Sequence, residues 1–174
     1  MNDSTAVKTL CILRLSALGD ATHVLPLIRT LQRNLPGCRI TWILGKAEAK
    51  LMEGLENVEL IAFDKKSGLK GVKQLAQQLA GKRFDVLLQM QLALRANLIS
   101  AVIPAKRRIG YNTGRSKEGH GLFINERIAS GKHHVLDVFG LFAEPLGFSQ
   151  TEVRWDIPVS RHEHNFIGFP DLMK

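Results

Sequence analysis

Cysteine is scarce in this sequence, with two residues, Cys11 and Cys38, among 174. Both lie in apolar, strand-like runs, and neither belongs to a CxxC pair. We therefore expect buried, reduced thiols rather than a disulfide framework, which would need an oxidising compartment. The histidines lack metal-ligand spacing as well, because His133 and His134 are adjacent and would point in different directions on a helix. No metal site is expected.

Aromatic residues and long apolar runs are also few. Aromatic residues make up 6% of the chain, with one tyrosine, and no strand resembles the aromatic platforms on which nucleic-acid-binding domains stack bases. We therefore expect no nucleic-acid partner. No run approaches the roughly 18 apolar residues of a membrane span, and the polar stretch 1–5 does not resemble a signal peptide. These absences predict a cytoplasmic location.

Basic residues are in excess, with 24 Lys and Arg against 16 Asp and Glu, which gives a net charge of +8. This balance favours anionic partners, and by itself it fits nucleic acid, lipid headgroups and phosphorylated substrates alike. The hydrophobic content of 45% is that of a soluble globular protein, and the length suits a single domain.

Strand and helix patterns alternate along the chain. Apolar runs predict strands at 8–13, 39–44, 58–63, 84–89 and 108–111, and a last strand or an exit from the sheet at 155–158. Helical spacing predicts one helix that begins near 22–25 and stops at 35–37, and others at 46–54, 69–79, 92–103 and 132–146. The alternation predicts an α/β fold, a Rossmann-like and mostly parallel sheet flanked by helices. We assign the domain to residues 1–158 and interpret 159–174 as a tail or the start of an interdomain linker.

The first predicted strand ends in a turn of small residues, S-A-L-G at 16–19, which precedes Asp20, Thr22 and His23. With a single glycine, this turn matches neither the dinucleotide fingerprint nor a Walker A phosphate loop. Pro26 is tolerated in the first turn of a helix and disruptive deeper inside, so we expect Asp20 to lie in the loop ahead of the helix. Ligands of parallel sheets bind where strands end in this way.

The residues alone leave two interpretations of Asp20 open. Its carboxylate can cap the following helix or interact with the helix dipole, a contribution of about 0.3–1 kcal/mol. It can also act as a general base towards a bound hydroxyl, which typically contributes about 10²–10⁴-fold in rate. A helix N-terminus lowers the pKa of a carboxyl and weakens it as a base, whereas partial burial acts in the opposite direction. His23 forms a candidate dyad with Asp20, at a spacing that many unrelated pairs share.

Basic residues form three clusters, at 65–70, 106–108 and 115–117. Two of them lie in or beside predicted βα loops, at the same sheet edge as Asp20. A single cluster is usually solvated surface. Convergence of all three at one edge would suit a substrate that carries phosphates or carboxylates.

The string L-R-L-S-A-L-G-D at 13–20, followed by T-H-V-L-P at 22–26, resembles the opening of the heptosyltransferases of glycosyltransferase family 9. Those enzymes use ADP-heptose to build the lipopolysaccharide core. Later segments, at 35–43, 85–91, 108–111, 115–118, 133–135 and 146–148, resemble family landmarks in the same order. The resemblance covers residues 7–158, nearly the whole chain.

This resemblance implies the N-terminal, acceptor-binding half of a GT-B fold. It implies that Asp20 is the catalytic base, which deprotonates an acceptor hydroxyl as that hydroxyl attacks the anomeric carbon with inversion and loss of ADP. No cofactor is implied, because ADP-heptose is a donor substrate. It assigns acceptor binding to ten residues, namely Ser16, Gly19, Thr22, His23, Lys65, Lys66, Lys70, Arg95, Arg115 and Lys117.

Members of the family are considerably longer, and this chain ends where the segment between their two domains is expected to begin. We therefore expect the donor-binding domain to be absent and the chain to be inactive by itself, because nothing would stabilise the departing diphosphate. The expected partner is a lipid-linked anionic glycan acceptor, with peripheral contact to the inner membrane. Two alternatives stay open: a non-catalytic module that binds an anionic glycolipid or a partner protein, and a related glycosyltransferase that uses another sugar.

Overall fold

The computed structural model describes residues 7–112, 119–129, 135–148 and 154–158. These residues form a six-stranded parallel sheet in the order β3-β2-β1-β4-β5-β6. The strands are β1 Thr9–Leu13, β2 Arg39–Gly45, β3 Val58–Phe63, β4 Phe84–Gln89, β5 Ala105–Gly110 and β6 Glu126–Arg127. The α-helices are α1 Leu18–Thr22, α2 Leu25–Asn34, α3 Lys46–Leu51, α4 Gly68–Gln78, α5 Leu94–Ala101 and α6 Val135–Gly140. Two 3₁₀ helices, His120–Leu122 and Leu141–Leu146, complete the described structure. The predicted α/β class is confirmed.

The strand order places a topological switch point between β1 and β4. The chain proceeds from β1 outward to β2 and β3, then crosses back to β4 on the other side of β1. Leu13, the last residue of β1, is level with both Ile43 of β2 and Gln89 of β4. Segments that follow Leu13 and Gln89 therefore leave the sheet side by side, at the crevice where such folds bind ligands.

Apolar residues cover both faces of the sheet, as the continuous hydrophobic runs of β1, β2 and β4 require of a buried parallel sheet. Leu10 and Ile12 pack on the side of α2 and α6, whereas Cys11 and Leu13 pack on the side of α4 and α5. The alternation follows from the two-residue period of a strand. The fold therefore has a helical layer on each face.

The structure corrects the prediction that Asp20 lies in a loop ahead of the first helix. Asp20 is in the first turn of α1, a separate five-residue helix. Pro26 occupies the first turn of the next helix, α2, as expected. The proline therefore determines where α2 begins and has no bearing on α1.

Two further elements differ from prediction. Residues 154–158 form no strand, and Trp155 and Ile157 pack instead against the core on the α2 side. The helix predicted at 132–146 is, in its described part, α6 followed by a 3₁₀ helix that contains Pro145. In an α-helix the ring of Pro145 would clash with the carbonyl four residues earlier, that of Leu141, which disfavours a continued α-helix here.

Both cysteines carry free thiols, with Cys11 buried and Cys38 half-buried. Burial is the main cause that raises the pKa of both thiols, that of Cys38 to about 11, so both stay protonated at neutral pH. Within the described ranges, no helix combines the length and the hydrophobicity needed to cross a bilayer.

Candidate functional site

Asp20 lies at the carboxyl edge of the sheet, at the switch point between β1 and β4. Its Oδ2 atom accepts a hydrogen bond from the Ala17 amide at 3.2 Å and a charged hydrogen bond from Arg14. Oδ1 accepts no hydrogen bond from any described residue, and 37% of the side chain is exposed. One carboxylate oxygen is therefore held in place while the other faces solvent.

Arg14 fixes Asp20 to the rest of the sheet. Its guanidinium donates to the Met90 carbonyl, just past the end of β4, and lies 5.3 Å from the centre of the Phe139 ring in α6. The Met90 amide in turn donates to the Leu13 carbonyl at 3.0 Å. The carboxylate is thus oriented by a side chain that contacts three separate segments.

The ionisation of Asp20 follows from the same contacts. Burial, the largest single effect, raises the pKa of this carboxyl. The Ala17 amide and the charge and hydrogen bond of Arg14, with a contribution from His23, act together in the other direction and lower the pKa below its ordinary value. Asp20 is therefore ionised at neutral pH and able to accept a proton.

Gln91 holds the loop that leads to Asp20. Its Oε1 accepts a hydrogen bond from the Leu15 amide at 2.6 Å, and its Nε2 donates to the Ser16 hydroxyl at 3.2 Å. Ser16 and Ala17 are joined by a cis peptide bond. Towards the described residues the Ser16 hydroxyl only accepts, so its proton can be donated to a bound molecule.

The other residues predicted around Asp20 differ in their availability. The Thr22 hydroxyl donates to the Gly19 carbonyl at 2.6 Å, inside α1, so its proton is already used. Gly19 is exposed, and no atom lies near the place where a side chain would begin. His23 is half-buried, 6.4 Å edge-on from the Phe139 ring, and its Nδ1 has no hydrogen-bond partner among the described residues.

The loop between β3 and α4 brings cations to the same edge of the sheet. Lys65 forms an ion pair of 2.9 Å with the buried carboxylate of Glu48. Arg95, in the first turn of α5, donates to the Lys65 carbonyl at 2.7 Å. Lys66 and Lys70 are exposed, and within the described structure neither ammonium group forms an ion pair. The structure therefore places Lys65, Lys66, Lys70 and Arg95 at one edge of the sheet.

Gly45, the last residue of β2, brings the Lys65–Glu48 pair against the Asp20 loop. A Cβ at this position would lie 2.2 Å from Glu48 Oε2, 2.6 Å from the Leu15 carbonyl oxygen and 2.6 Å from Lys65 Cε. Real side chains do not tolerate such distances, so the close approach requires glycine. The two groups of site residues consequently form one continuous edge.

The cluster at 106–108 does not belong to this site, which corrects the expected convergence of three clusters. Strand β5 begins at Ala105, earlier than predicted, and therefore contains all three residues. Lys106 pairs with Asp85, Arg107 pairs through two bonds of 2.7 Å with Glu126, and Arg108 donates to backbone carbonyls. These contacts attach β5 to its neighbours. Arg115 and Lys117, like His133, His134 and 159–174, lie outside the described residues.

Three fully buried polar residues, Gln89, Asn97 and His120, form a hydrogen-bonded triad close to the carboxyl edge of the sheet. Gln89 Nε2 donates to Asn97 Oδ1 at 2.6 Å, and His120 Nδ1 lies 3.1 Å from the same oxygen. The Tyr111 amide donates to His120 Nε2 at 3.2 Å, so Nε2 carries no proton and the ring donates through Nδ1. Burial, followed by the nearby Arg127 charge, lowers the pKa of His120, which keeps the ring neutral.

Sequence reasoning missed Arg14, Gln91, Gly45 and Glu48 as parts of the site. The available signal was position: Arg14 directly follows β1, Gln91 comes two residues after β4, and Gly45 ends β2. In the described part of the chain, no three His, Cys, Asp or Glu residues are grouped so as to hold a metal ion.

Known proteins resemble this chain both in sequence and in structure. The model of glycosyltransferase family 9 (heptosyltransferase) matches residues 72–167. The lipopolysaccharide core heptosyltransferase OpsX of Haemophilus influenzae is 46% identical over 162 residues, which cover 92% of this chain and 47% of the relative. Lipopolysaccharide heptosyltransferase 1 of Escherichia coli K12 is 25% identical over 165 residues, covering 87% of this chain and 51% of the relative.

Solved structures share the fold. The E. coli heptosyltransferase WaaC with ADP superposes with a TM-score of 0.72 at 21% identity, over 85% of this chain and 50% of that protein. The glycosyl transferase family 9 protein from Veillonella parvula superposes with a TM-score of 0.79 at 21% identity, over 91% of this chain and 47% of that protein. The parallel sheet flanked by helices thus matches half of a GT-B heptosyltransferase.

The chain spans about half the length of the curated relatives it matches. The family model covers more than half of this chain, and the structural matches agree with it. The chain therefore belongs to glycosyltransferase family 9, the heptosyltransferase family.

Proposed function

We propose that residues 1–158 form the acceptor-binding domain of an inverting glycosyltransferase that moves heptose from ADP-heptose to the lipopolysaccharide inner core. The observation that carries this proposal is the Asp20 carboxylate, which Arg14 and the Ala17 amide hold through Oδ2 while Oδ1 stays open to solvent. A carboxylate presented in this way at a sheet switch point is suited to accept a proton from a bound hydroxyl.

In the proposed reaction, Oδ1 of Asp20 takes the proton of an acceptor hydroxyl. The hydroxyl oxygen attacks the anomeric carbon of heptose from the face opposite ADP, the bond to ADP breaks, and the configuration inverts. Arg14 keeps the carboxylate ionised before the transfer and oriented during it. The nucleotide sugar itself is assigned to a second, donor-binding domain, and the 174 residues alone are proposed to bind acceptor without turnover.

Cations beside Asp20 are proposed to hold the anionic groups of the acceptor. Lys66, Lys70 and Arg95 are exposed at this edge, and Lys65 lies against the Asp20 loop through Gly45. Ser16 and His23 offer polar atoms nearer the carboxylate, while Gly19 and Thr22 shape the helix that carries it. Arg115 and Lys117 stay in the proposal on the strength of the sequence. The protein is proposed to be cytoplasmic, with peripheral contact to the inner membrane. It is proposed to use no cofactor.

The Asp20→Asn variant tests the proposed base. In a form of the protein that includes a donor-binding domain, we expect turnover to fall about 10²–10⁴-fold, because the amide cannot accept the proton. Acceptor binding by the 174-residue chain, measured by calorimetry, should change little. In the wild type, the acid limb of the rate profile that belongs to Asp20 should lie below the ordinary aspartate pKa of about 3.9.

Asp64→Asn is the matched control, since Asp64 is a carboxylate at the same edge that pairs with Lys46 at 2.8 Å. This variant should keep wild-type turnover. Near-normal turnover of Asp20→Asn, or an equal loss in both variants, would return Asp20 to a structural role as a helix cap.

A further inference from the structure

Helices α4 and α5 lie side by side on one face of the sheet, where Leu75 and Ile99 belong to the same buried cluster. Both helices begin at the carboxyl edge of the sheet, since α4 follows β3 and α5 follows β4. The hydrogen bond from Arg95 to the Lys65 carbonyl joins the start of α5 to the loop before α4. The first turns of the two helices therefore form one continuous surface beside the Asp20 site.

This surface carries three exposed leucines. Five large hydrophobic side chains are exposed in the described part of the chain, and three of them lie here. Leu69 is 79% exposed in the first turn of α4, Leu94 is 53% exposed at the start of α5, and Leu98 is 46% exposed one turn later on the same side of α5. Leucines at neighbouring helix ends indicate a surface that contacts an apolar partner.

Cations alternate with these leucines. Lys66 and Lys70 flank Leu69, and Arg95 follows Leu94. Neither α4 nor α5 has an acidic residue in its first turn, although negative charge is favoured there by the helix dipole. Lys70 and Arg95 thus sit where positive charge does not stabilise the helix, which points to a role in binding an anionic surface.

We propose that these six residues, the leucine–basic rim of Leu69, Leu94, Leu98, Lys66, Lys70 and Arg95, dock on an anionic phospholipid bilayer. Leucines would enter the headgroup region while the cations pair with lipid phosphates, a combination typical of interfacial binding. Charge complementarity selects the bilayer over an uncharged apolar partner. The inference rests on the proposed function in one respect, namely that a lipid-linked acceptor requires the Asp20 edge to face a membrane.

Vesicle binding by the 174-residue chain tests this proposal without any acceptor. We expect co-sedimentation with vesicles of phosphatidylethanolamine and phosphatidylglycerol, little with phosphatidylcholine vesicles, and weaker binding as salt is raised. The double variant Leu69→Ser/Leu94→Ser should bind the anionic vesicles roughly tenfold more weakly or worse. Both leucines are exposed, so circular dichroism and the melting temperature should stay at wild-type values.

Two controls match the changes elsewhere on the molecule. Leu122→Ser removes a leucine that is 87% exposed in the connection between β5 and β6. Arg39→Gln/Arg83→Gln removes two exposed charges at the opposite, amino-terminal edge of the sheet. Both should bind vesicles as the wild type does.

Three results would overturn the proposal that the leucine–basic rim docks on a bilayer. They are equal binding to neutral and anionic vesicles, unchanged binding of the leucine double variant, and a dimer in sedimentation velocity that this variant dissolves, which would assign the surface to a second copy of the chain. Binding of a deacylated acceptor by the leucine double variant separates the two proposals. If the variant binds the deacylated acceptor normally and the wild type does not bind vesicles, the proposed function stands and the proposal of bilayer docking is wrong.

Discussion

At the scale of single residues, Gly45 determines how closely the two parts of the site approach each other. Its backbone has ordinary extended angles, so its importance is steric and not conformational. The atoms that a side chain would meet belong to the Leu15 backbone and to the Lys65–Glu48 pair. Glu48 is 3% exposed, so its carboxylate has little room to move away from a new side chain.

We expect Gly45→Ala to lower the free energy of unfolding by about 1–3 kcal/mol, the usual cost of overpacking, because the Leu15 carbonyl must move. Urea denaturation measures the difference. Gly19→Ala is the matched control, since nothing lies within 4 Å of the position that a Cβ would take there, and it should not be destabilised. Equal stability of Gly45→Ala and the wild type would show that the edge is looser than the distances indicate.

The exposed cations give a second prediction at this scale. Lys66→Gln/Arg95→Gln should bind a deacylated acceptor glycan roughly tenfold more weakly, since exposed charge pairs contribute about 0.2–1 kcal/mol each. The effect should shrink as salt is raised, because exposed charges are screened. Arg39→Gln/Arg83→Gln makes the same change of charge at the other edge and should bind normally. An unchanged affinity of the first variant would make these cations ordinary surface.

At the scale of elements, His120 connects the 3₁₀ helix at 120–122 to the ends of β4 and β5 and to helix α5. It accepts a hydrogen bond from the Tyr111 amide just past β5 and donates to Asn97 of α5, which Gln89 of β4 also contacts. Gly110 lets the ring approach, because a Cβ there would lie 2.5 Å from His120 Nε2. Protonation of Nε2 would remove the acceptor for the Tyr111 amide.

The pKa of His120 is lower in the folded chain than in the unfolded one, so the unfolded chain binds more protons as the solution is acidified. The stability due to the neutral ring is complete above the unfolded pKa of about 6.5 and is lost as the pH falls through the folded pKa. We therefore expect the free energy of unfolding to fall below about pH 6.5 in the wild type. His120→Gln should lack this part of the decrease, and identical pH profiles for the two proteins would contradict the role assigned to the ring.

The order and type of most elements can be predicted from the sequence, because apolar runs and helical spacing are local patterns. For strands β3 and β4 the predicted bounds are the observed ones. The short helix α1 escapes prediction, since five residues are too few for a period to show. Strand β6 has two residues and pairs through Ile109 and Gly110, so only the tertiary structure reveals it.

The candidate site can be predicted only in part, for a related reason. Asp20 and the cations at 65–70 follow strands, and their edge of the sheet can be inferred from connectivity. The contacts of Arg14 with Met90 and of Gln91 with Leu15 join residues 76 positions apart. They depend on the register between β1 and β4, which no local pattern contains.

At the scale of the whole molecule, the described residues form one layer of sheet between two layers of helices, and the proposed site lies along one edge of it. The helical layers cover the faces of the sheet and not this edge, so a second domain can face it. The match to about half of the heptosyltransferase WaaC and of the Veillonella parvula family 9 protein fits this arrangement. The division of labour between the two halves follows as a prediction.

Calorimetry with ADP and with ADP-heptose tests that division. We expect no tight binding of either nucleotide by the 174-residue chain, because its proposed role is on the acceptor side. A deacylated acceptor glycan should bind in the same buffer, which shows that the protein is folded and competent. Tight nucleotide binding would contradict the assignment of this chain to the acceptor half.

The central position of β1 has a consequence for the growing chain on the ribosome. β1 is made first, yet its partner β4 ends at residue 89, and the Met90 carbonyl and the Gln91 side chain that anchor the Asp20 loop come later still. During synthesis, the segment after β1 can bond to β2 through the Arg14 amide and the Ile43 carbonyl before these later anchors emerge. The Ala17 amide can orient the carboxylate locally, but the Met90 carbonyl that holds Arg14 follows β4, so we expect the fully oriented carboxylate only after β4 docks against β1.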